Sequence, residues 1–205
     1  MFHVKQFQEA AGVSDEILQR LQAYADLLEK WQKKINLVGS NTISKLWNRH
    51  MLDSAQLFPL LPRPDCSVMD FGSGAGFPGL VLAIMGGPQV TMVESDGRKC
   101  AFLAEAMRIT QTGPSARLEN CRIEDLSSGQ VDVVTSRALA PLGKLLVFAG
   151  PFLREDSICL FLKGKKADEE LTQTEKNWKM QVIKVQSRSD PSGTILKLEN
   201  VKRRE

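Results

Sequence analysis

The 205-residue sequence lacks the features that mark a secreted, membrane-spanning or metal-binding protein. Its four cysteines contain no Cys-x-x-Cys pair, so neither a zinc site nor a disulfide framework is predicted. No apolar run approaches the length of a membrane span, and the N-terminus lacks the apolar core of a signal peptide. We therefore expect a cytoplasmic protein with no bound metal and no membrane partner, and we expect it to be a monomer.

An excess of charge of one sign is also lacking, because the net charge is only +3. A balance this small does not establish a polyanionic partner, which must instead be argued from the distribution of the charges. The sequence has no internal repeat and no low-complexity tract. Its length, with 42% hydrophobic and 25% charged residues, suits one α/β domain with a small addition.

The most informative stretch runs from residue 66 to residue 85. An apolar run at 66–71 is followed by a turn with the sequence Gly-Ser-Gly-Ala-Gly-Phe-Pro-Gly, and residues 80–85 then have the apolar character of a helix. Glycines let the chain reverse sharply and let a ligand approach the backbone. The order of strand, turn and helix therefore predicts a nucleotide-type pocket.

Two kinds of ligand fit this turn. Residues 74–79 match G-x-G-x-x-G, the dinucleotide fingerprint, and Glu94 lies about 20 residues further on, where a ribose-binding acid belongs. Asp70, Gly72 and Gly74 extend the match to D-x-G-x-G-x-G, the pattern of methyltransferases that use S-adenosylmethionine. In such a site Asp70 can face the methionine ammonium. A turn that merely packs a helix closely on a strand is the structural alternative.

Strand and helix patterns alternate after residue 66, which indicates a parallel sheet covered on both faces. The predicted strands are 66–71, 89–94, 116–121, 131–136 and 157–162, and the predicted helices are 78–86, 97–110, 141–150 and 167–177. Two further strands at 180–186 and 194–201 are joined by turn residues, so they predict an antiparallel hairpin at one edge. A dehydrogenase would need a second βαβαβ half there, so the hairpin favours a methyltransferase.

In an open α/β sheet the ligand lies over the carboxyl ends of the strands. The residues predicted at those ends are Asp70, Gly72, Glu94, Arg122, Ile123, Glu124, Arg137 and Lys163. Glu94 can accept both ribose hydroxyls with its two oxygens, while Ile123 and Glu124 lie beside the adenine position. The alternatives are that Glu124 belongs to a solvated turn and that Arg137 is a surface ion-pair partner.

The end of the fourth strand excludes two methylation chemistries. The residues at 135–138 do not match the Asn/Asp-Pro-Pro-aromatic motif of adenine-type amino methyltransferases. Pyrimidine C5 methylation requires a cysteine nucleophile, and no cysteine follows this strand. Neither His3 nor His50 lies at a strand end, so no general base is evident. A target atom that is already nucleophilic remains.

No acidic residue occurs between Lys30 and Leu52. The basic and aromatic residues of this window suit a structured RNA surface, which needs phosphate contacts and stacking of bases. They are Lys30, Trp31, Lys33, Lys34, Lys45, Trp47, Arg49 and His50, and a second basic cluster follows at Lys202, Arg203 and Arg204. The alternatives are that the tryptophans belong to the core, that the lysines form a solvated face, and that His50 makes a hydrogen bond in the core.

Helices are predicted in this N-terminal part as well, from Ser14 or Asp15 to about Lys34 and at 44–58. We therefore predict an RNA-facing helical segment at 1–64 and an S-adenosylmethionine-binding domain at 65–205. The complete fold is predicted to be α/β, a Rossmann-like class I methyltransferase fold. Its seven-stranded, mostly parallel sheet would end in the antiparallel hairpin.

With these residues the chain resembles the RsmG family of small-subunit ribosomal RNA methyltransferases, also called glucose-inhibited division protein B. The segments that carry the resemblance include Arg49-His50-Met51-Leu52-Asp53-Ser54, the turn at 70–79, Arg122-Ile123-Glu124, Ser136-Arg137-Ala138 and Leu162-Lys163-Gly164. Val38 stands where the family often has Thr, and Gly193-Thr194 where a basic residue often opens the last strand.

The resemblance implies methyl transfer from S-adenosylmethionine to N7 of a guanine in the 530 loop of 16S rRNA. The partner would be the small ribosomal subunit or its assembly intermediate. The implied cofactor contacts are Gly72, Phe77, Ile123, Glu124 and Arg137; Arg137 would also be catalytic, and RNA contacts are expected at Lys33, Lys34, Arg49, His50 and Lys163. An NAD-dependent oxidoreductase and a non-catalytic rRNA-binding assembly factor are the alternative functions.

Overall fold

The computed structural model describes residues 4–127 and 129–204. Seven strands form one sheet in the order β3-β2-β1-β4-β5-β7-β6. Strands β1 to β5 are parallel, and β7 runs antiparallel to both β5 and β6. The strands are β1 Ser67–Phe71, β2 Gln89–Val93, β3 Ala116–Glu119, β4 Val131–Arg137, β5 Leu153–Lys163, β6 Trp178–Gln186 and β7 Thr194–Arg203. The predicted fold class and the C-terminal hairpin are therefore confirmed.

The α-helices flank this sheet on both faces. They are α1 Val4–Ala11, α2 Asp15–Gln32, α3 Asp53–Ala55, α4 Gly79–Met85, α5 Gly97–Ile109, α6 Leu142–Ala149 and α7 Ala167–Thr174. Helix α2 begins where the sequence predicts it, because the Ser14 hydroxyl accepts a hydrogen bond from the Ile17 N–H. Asp96 caps α5 in the same way and accepts from two backbone N–H groups.

The central strands divide their apolar side chains between two cores, as the period of two in a strand requires. Val68 and Val133 belong to the core on the side of α2, α4 and α5. Met69 and Val134 belong to the core beneath α6 and α7. This explains why the strands read as continuous apolar runs, since both of their faces are buried.

The N-terminal helices share the first of these cores. Leu21 and Leu28 of α2 are fully buried in the same cluster as sheet residues, and the Tyr24 hydroxyl donates to the backbone carbonyl of Ala75 in the glycine-rich turn. The division into a segment 1–64 and a domain 65–205 stays a prediction. No helix among residues 4–127 and 129–204 is long and apolar enough to cross a membrane.

The predicted helix at 44–58 is wrong in its geometry. The structure has a 3₁₀ turn at Ser40–Lys45, a π-helical turn at Trp47–Leu52, the short α3 and a second 3₁₀ turn at Phe58–Leu60. The apolar spacing was helical, but the carbonyl of His50 accepts from the Ser54 hydroxyl and from the Asp53 N–H, which replaces regular α-helical pairing. Helix α1 was not predicted at all.

Candidate active site

Two cavities open side by side over the carboxyl ends of β1, β2, β4 and β5. The larger, of about 660 Å³, extends from Gly72 towards the N-terminal residues Thr42 and His50. The smaller, of about 360 Å³, extends from Gly72 towards Glu94 and residues 121–124. Both are lined by Arg137, and a Cβ added at Gly72 would lie 2.7 Å from the side chain of Leu139. Leu139 therefore covers the turn at the boundary between the cavities.

The glycine-rich turn takes its shape from backbone conformations that other residues rarely adopt. Gly74 has a φ of +58° and Gly76 a φ of +95°. A Cβ at Gly76 would lie 2.9 Å from the Cβ of Leu80 and 3.0 Å from the Tyr24 hydroxyl, so the position has no room for a side chain. At Gly74 the backbone itself lines both cavities, which lets a ligand approach it closely.

Glu94 is fixed by the backbone at the wall of the smaller cavity. One carboxylate oxygen accepts from the Gly74 N–H at 2.8 Å and the other from the Asp96 N–H at 2.8 Å. Each oxygen keeps a second lone pair, so the carboxylate can still accept from ribose hydroxyls. Ile123 and Glu124 follow β3 in a short 3₁₀ turn and line the same cavity. The structure thus brings these three predicted residues together around one cavity.

Asp70 lies elsewhere than the sequence suggested. Its carboxylate is fully buried beneath the turn, where it accepts from the Gly79 N–H at 3.1 Å and from the Thr135 hydroxyl at 2.9 Å. Burial raises the pKa of Asp70 to about 6 despite these bonds. Asp70 supports the turn from below instead of facing a ligand ammonium, and the first N–H of α4 is directed to Asp70 and not to a cavity.

Arg137 is held at the common wall by the residues of the π-helical turn. Its Nη1 donates to the Arg49 carbonyl at 3.2 Å and to Asp53 at 3.4 Å, and its Nη2 lies 2.9 Å from His50 Nδ1. Its guanidinium carbon lies 4.8 Å from the centre of the Phe77 ring. Burial lowers the pKa of Arg137, but a guanidinium keeps its charge in a protein. Arg137 is a fixed cation and not a surface ion-pair partner.

His50 is buried and neutral. Burial, followed by the charges of Arg137 and Arg49, lowers its pKa to about 3. Its ring lies 5.0 Å from that of Phe77, and both ring nitrogens have partners. Phe77 itself is buried between these groups and Tyr24, with its ring centre 5.5 Å from that of the tyrosine. Phe77 therefore supports His50 and Arg137 from beneath.

The predicted RNA contacts fall into two groups. Lys33 and Lys34 are exposed just before residues 37–39, which line the larger cavity. Arg49 is instead paired with Asp190 at 2.5 Å. Lys163 is 9% exposed and donates to the Ala140 carbonyl and to Glu170, so it has little freedom to meet a phosphate. His3 lies outside the described residues.

Trp31 and Trp47 are half-buried and pack against the core, which is close to the alternative interpretation. Trp31 packs edge-on against Phe102 with 5.8 Å between ring centres, and Trp47 contacts Phe7 at 5.1 Å. The basic tail also lies away from the site, since Arg203 pairs with Trp178 at the end of the sheet opposite the cavities. The RNA surface predicted for residues 30–52 therefore keeps its exposed lysines, but its tryptophans are not exposed for stacking on bases.

Sequence reasoning missed the loop between β6 and β7. Asp190 binds Arg49, and the Ser189 hydroxyl donates to Asp53, so this loop supports the turn that holds Arg137. The Arg188 N–H also donates to the Gln56 side chain. The sequence showed only turn-forming residues here, and no local pattern connects them to positions more than a hundred residues earlier.

The sheet order, the antiparallel β7 and the glycine-rich turn facing Glu94 define a Rossmann-like S-adenosylmethionine-dependent methyltransferase fold. The ribosomal protein L11 methylase of Lactobacillus delbrueckii subsp. bulgaricus matches with a TM-score of 0.60 and 16% identity, over 82% of this chain and 81% of that chain. A TehB-like S-adenosylmethionine-dependent methyltransferase of Corynebacterium glutamicum matches with a TM-score of 0.58 and 16% identity, over 88% and 99%.

The chain belongs to the GidB family, described as rRNA small subunit methyltransferase G, whose sequence model matches residues 17–194. The ribosomal RNA small subunit methyltransferase G of Paramagnetospirillum magneticum is 55% identical over 94% of this chain and 93% of its own length. That of Rhodospirillum rubrum is 53% identical over 96% and 97%. The resemblance seen in the sequence is confirmed, and the protein is a methyltransferase.

Proposed function

We propose that this protein uses S-adenosylmethionine to methylate N7 of a guanine in the 530 loop of 16S rRNA, within the small ribosomal subunit or its assembly intermediate. The observation that supports this most strongly is the place of Arg137, a fixed cation on the wall shared by the two cavities. A group in that position can contact a cofactor in one cavity and a base in the other. The relatives named above act on small-subunit rRNA by their descriptions.

The smaller cavity suits the adenosine part of the cofactor. The fixed carboxylate of Glu94 offers acceptors for two ribose hydroxyls, and the apolar Ile123 beside Glu124 offers a cover and a polar edge for adenine. A Cβ added at Gly74 would meet only the Gly72 carbonyl oxygen, at 3.8 Å. When bound, S-adenosylmethionine supplies an electrophilic methyl group; these residues hold and orient it.

The larger cavity suits a base whose attacking atom needs no deprotonation. Guanine N7 presents an unprotonated lone pair, and O6 lies beside it as a second acceptor. His50 is neutral with both ring nitrogens engaged, so it does not remove a proton from the substrate. We assign Arg137 to donation towards O6, because donation to N7 would occupy the attacking lone pair. Its contribution is alignment, which can supply roughly 7–11 kcal/mol when the geometry is right.

Lys33 and Lys34 are the N-terminal residues that best suit RNA phosphates. Both are exposed, and the chain continues directly from them into the wall of the larger cavity. Lys30 and Lys45 are exposed in the same window. Arg49 and Lys163 are left with structural roles in this proposal, because each is already paired with a carboxylate.

The test is incorporation of labelled methyl groups into unmodified 16S rRNA, 30S subunits and 70S ribosomes, followed by mapping of the modified base. We expect one N7-methylguanine in the 530 loop. Methylation at another base or atom would overturn the assignment. Binding to the subunit without any transfer would show that another RNA or particle is the substrate. Thermal stabilisation by NADH and not by S-adenosylhomocysteine would overturn the proposed cofactor.

A further inference from the structure

The hydrogen bonds around His50 determine which of its nitrogens carries the proton. A guanidinium can only donate, so His50 Nδ1, at 2.9 Å from Arg137 Nη2, must be an acceptor. The proton of the neutral ring therefore lies on Nε2, which is 2.8 Å from the Thr42 hydroxyl oxygen. The Thr42 hydroxyl in turn donates to the Gly39 carbonyl at 2.7 Å. Arg137 therefore donates to His50, His50 donates to Thr42, and Thr42 donates to Gly39.

The π-helical turn and Asp53, which follows it at the start of α3, add two further acceptors for the same guanidinium. In an α-helix the Arg49 carbonyl would accept from the Asp53 N–H, but here that N–H donates to the His50 carbonyl. The Arg49 carbonyl is left to accept from Arg137, as does the Asp53 carboxylate. Among the described residues these bonds use both Nη1 hydrogens and one Nη2 hydrogen. The Nε hydrogen and the other Nη2 hydrogen remain for a ligand.

We propose that His50 is a positioning residue: a neutral, Nε2-protonated imidazole that, with Thr42, holds the Arg137 guanidinium in its working orientation. The inference deepens the proposed function, on which it rests only in taking Arg137 as the side chain that meets cofactor and base. A histidine is suited to this task because it joins an acceptor and a donor rigidly across one ring. Thr42 completes the support by accepting from Nε2.

The surroundings keep His50 in this neutral form. The charged groups facing it are Arg137 from the end of β4, Arg49 and Asp53 from its own turn, and Asp190 from the β6–β7 loop through its pair with Arg49. The uncharged Thr42 hydroxyl and Phe77 ring cover the remaining sides, with the Tyr24 phenol behind Phe77. Protonation would set an imidazolium directly against a guanidinium and remove the acceptor that Arg137 uses.

The first test reads the tautomer directly and needs no substrate. A His3→Gln variant, labelled with ¹⁵N, leaves His50 as the single imidazole of the chain. We expect the ring nitrogens to show a protonated Nε2 and an unprotonated Nδ1, unchanged between about pH 5 and about pH 8, where an ordinary histidine titrates. A protonated Nδ1, or titration near the ordinary pKa, would overturn the proposal whether or not the protein methylates RNA.

The second test compares two replacements of His50 in single-turnover methyl transfer. The side-chain oxygen of Asn can replace the acceptor Nδ1, whereas Leu offers no acceptor. We expect His50→Leu to lower the rate about a hundredfold, as a misplaced catalytic group does, and His50→Asn to recover at least a tenth of the wild-type rate. Thr42→Ser should retain the rate that Thr42→Val loses.

Controls separate positioning from folding and from failure of the proposed function. Each variant should keep the wild-type unfolding midpoint within a few degrees and should bind S-adenosylhomocysteine within about threefold. Equal rates for His50→Leu and wild type would show that Arg137 needs no support from this ring. Absence of methyl transfer in the wild type as well would instead overturn the proposed function, and the tautomer would still decide the inference.

Discussion

The two halves of the site are supported by different parts of the chain. Glu94, on the side of the smaller cavity, accepts from backbone groups 20 and two residues away in sequence. Arg137 is held by acceptors that lie 84 to 88 residues earlier. Two of these residues, Asp53 and Arg49, are in turn held by Ser189 and Asp190, 136 and 141 residues further along the chain. The half proposed for the cofactor is a local construction, and the half proposed for the base is assembled over long range.

This difference indicates which amino-acid substitutions can alter each half of the site. The carboxylate of Glu94 keeps its geometry as long as the turn at 72–76 and the start of α5 remain, because its own hydrogen bonds are to Gly74 and Asp96. The support of Arg137 comes from three separate segments: residues 49–53, Thr42 behind His50, and the β6–β7 loop. Substitutions far along the chain from Arg137 can therefore alter the base half without removing the contacts of Glu94.

The largest expected effect is that of Arg137→Lys on methyl transfer. Lysine keeps the charge but not the planar fork that bonds Arg49, His50 and Asp53 at once. We expect the single-turnover rate to fall on the order of a hundred- to a thousandfold, the scale for losing an oriented electrostatic donor. Rapid-quench assays with saturating RNA measure the rate. A loss under tenfold would mean that a cation suffices and that its orientation does not matter.

The pH dependence of stability tests the buried acid beneath the turn. Because the pKa of Asp70 is raised to about 6, its contribution is fully present below the unfolded value and is lost as the pH rises through 6. The lowered pKa of His50 acts in the opposite direction, since its contribution is lost as the pH falls towards 3. The two contributions offset each other in the wild type between about pH 4 and about pH 6.

Asp70→Asn should separate these contributions. Relative to the wild type, the variant should gain free energy of unfolding between about pH 5 and about pH 8, by about 1.4 kcal/mol, because roughly one pH unit of the titration lies above pH 5. Asparagine can still accept from Gly79 and donate to Thr135, so the turn should persist. Urea unfolding at the two pH values measures the difference. An equal difference at both would mean that Asp70 does not titrate there.

Glu94→Ala should affect the local half alone. Loss of the carboxylate removes the acceptor proposed for the ribose and frees the N–H groups of Gly74 and Asp96. We expect binding of S-adenosylhomocysteine to weaken by roughly 1.5–3 kcal/mol, about ten- to a hundredfold, as measured by calorimetry. Glu94→Gln is the matched control and should lose less, because one oxygen acceptor remains. A change under about threefold with the fold intact would remove Glu94 from the site.

The smallest expected effect concerns Lys33 and Lys34. Reversing both to Glu should weaken RNA binding and reduce the slope of log affinity against log salt by about one unit for each lysine that meets a phosphate. Affinity for S-adenosylhomocysteine should not change. Lys176 and Lys179 are also exposed but lie near the opposite end of the sheet, so their reversal is the control. Equal slopes for both variants would place the RNA on another surface.

The local half of the site was largely predictable from sequence, and the other half was not. The strands around Glu94 and the glycine-rich turn follow from apolar runs and glycine spacing, which act over a few residues. The sequence predicts the correct strand end for Asp70, but its carboxylate lies beneath the turn and does not face the cavities. Residues 44–58 have a helical apolar pattern, yet they do not form one regular α-helix. The carbonyls of Arg49 and His50 accept from the Arg137 and Ser54 side chains instead. No spacing rule could reveal that Asp190 pairs with Arg49.

The pairing of the β6–β7 loop with residues 48–56 also sets an order of assembly during synthesis. The segment that holds Arg137 leaves the ribosome early, but Ser189 and Asp190 follow only when nearly the whole chain has been made. Contacts between such distant residues close last, because a long loop must be ordered before they form. The surroundings of Arg137 are therefore completed only after Ser189 and Asp190 have been synthesised, later than the residues that form the turn around Glu94.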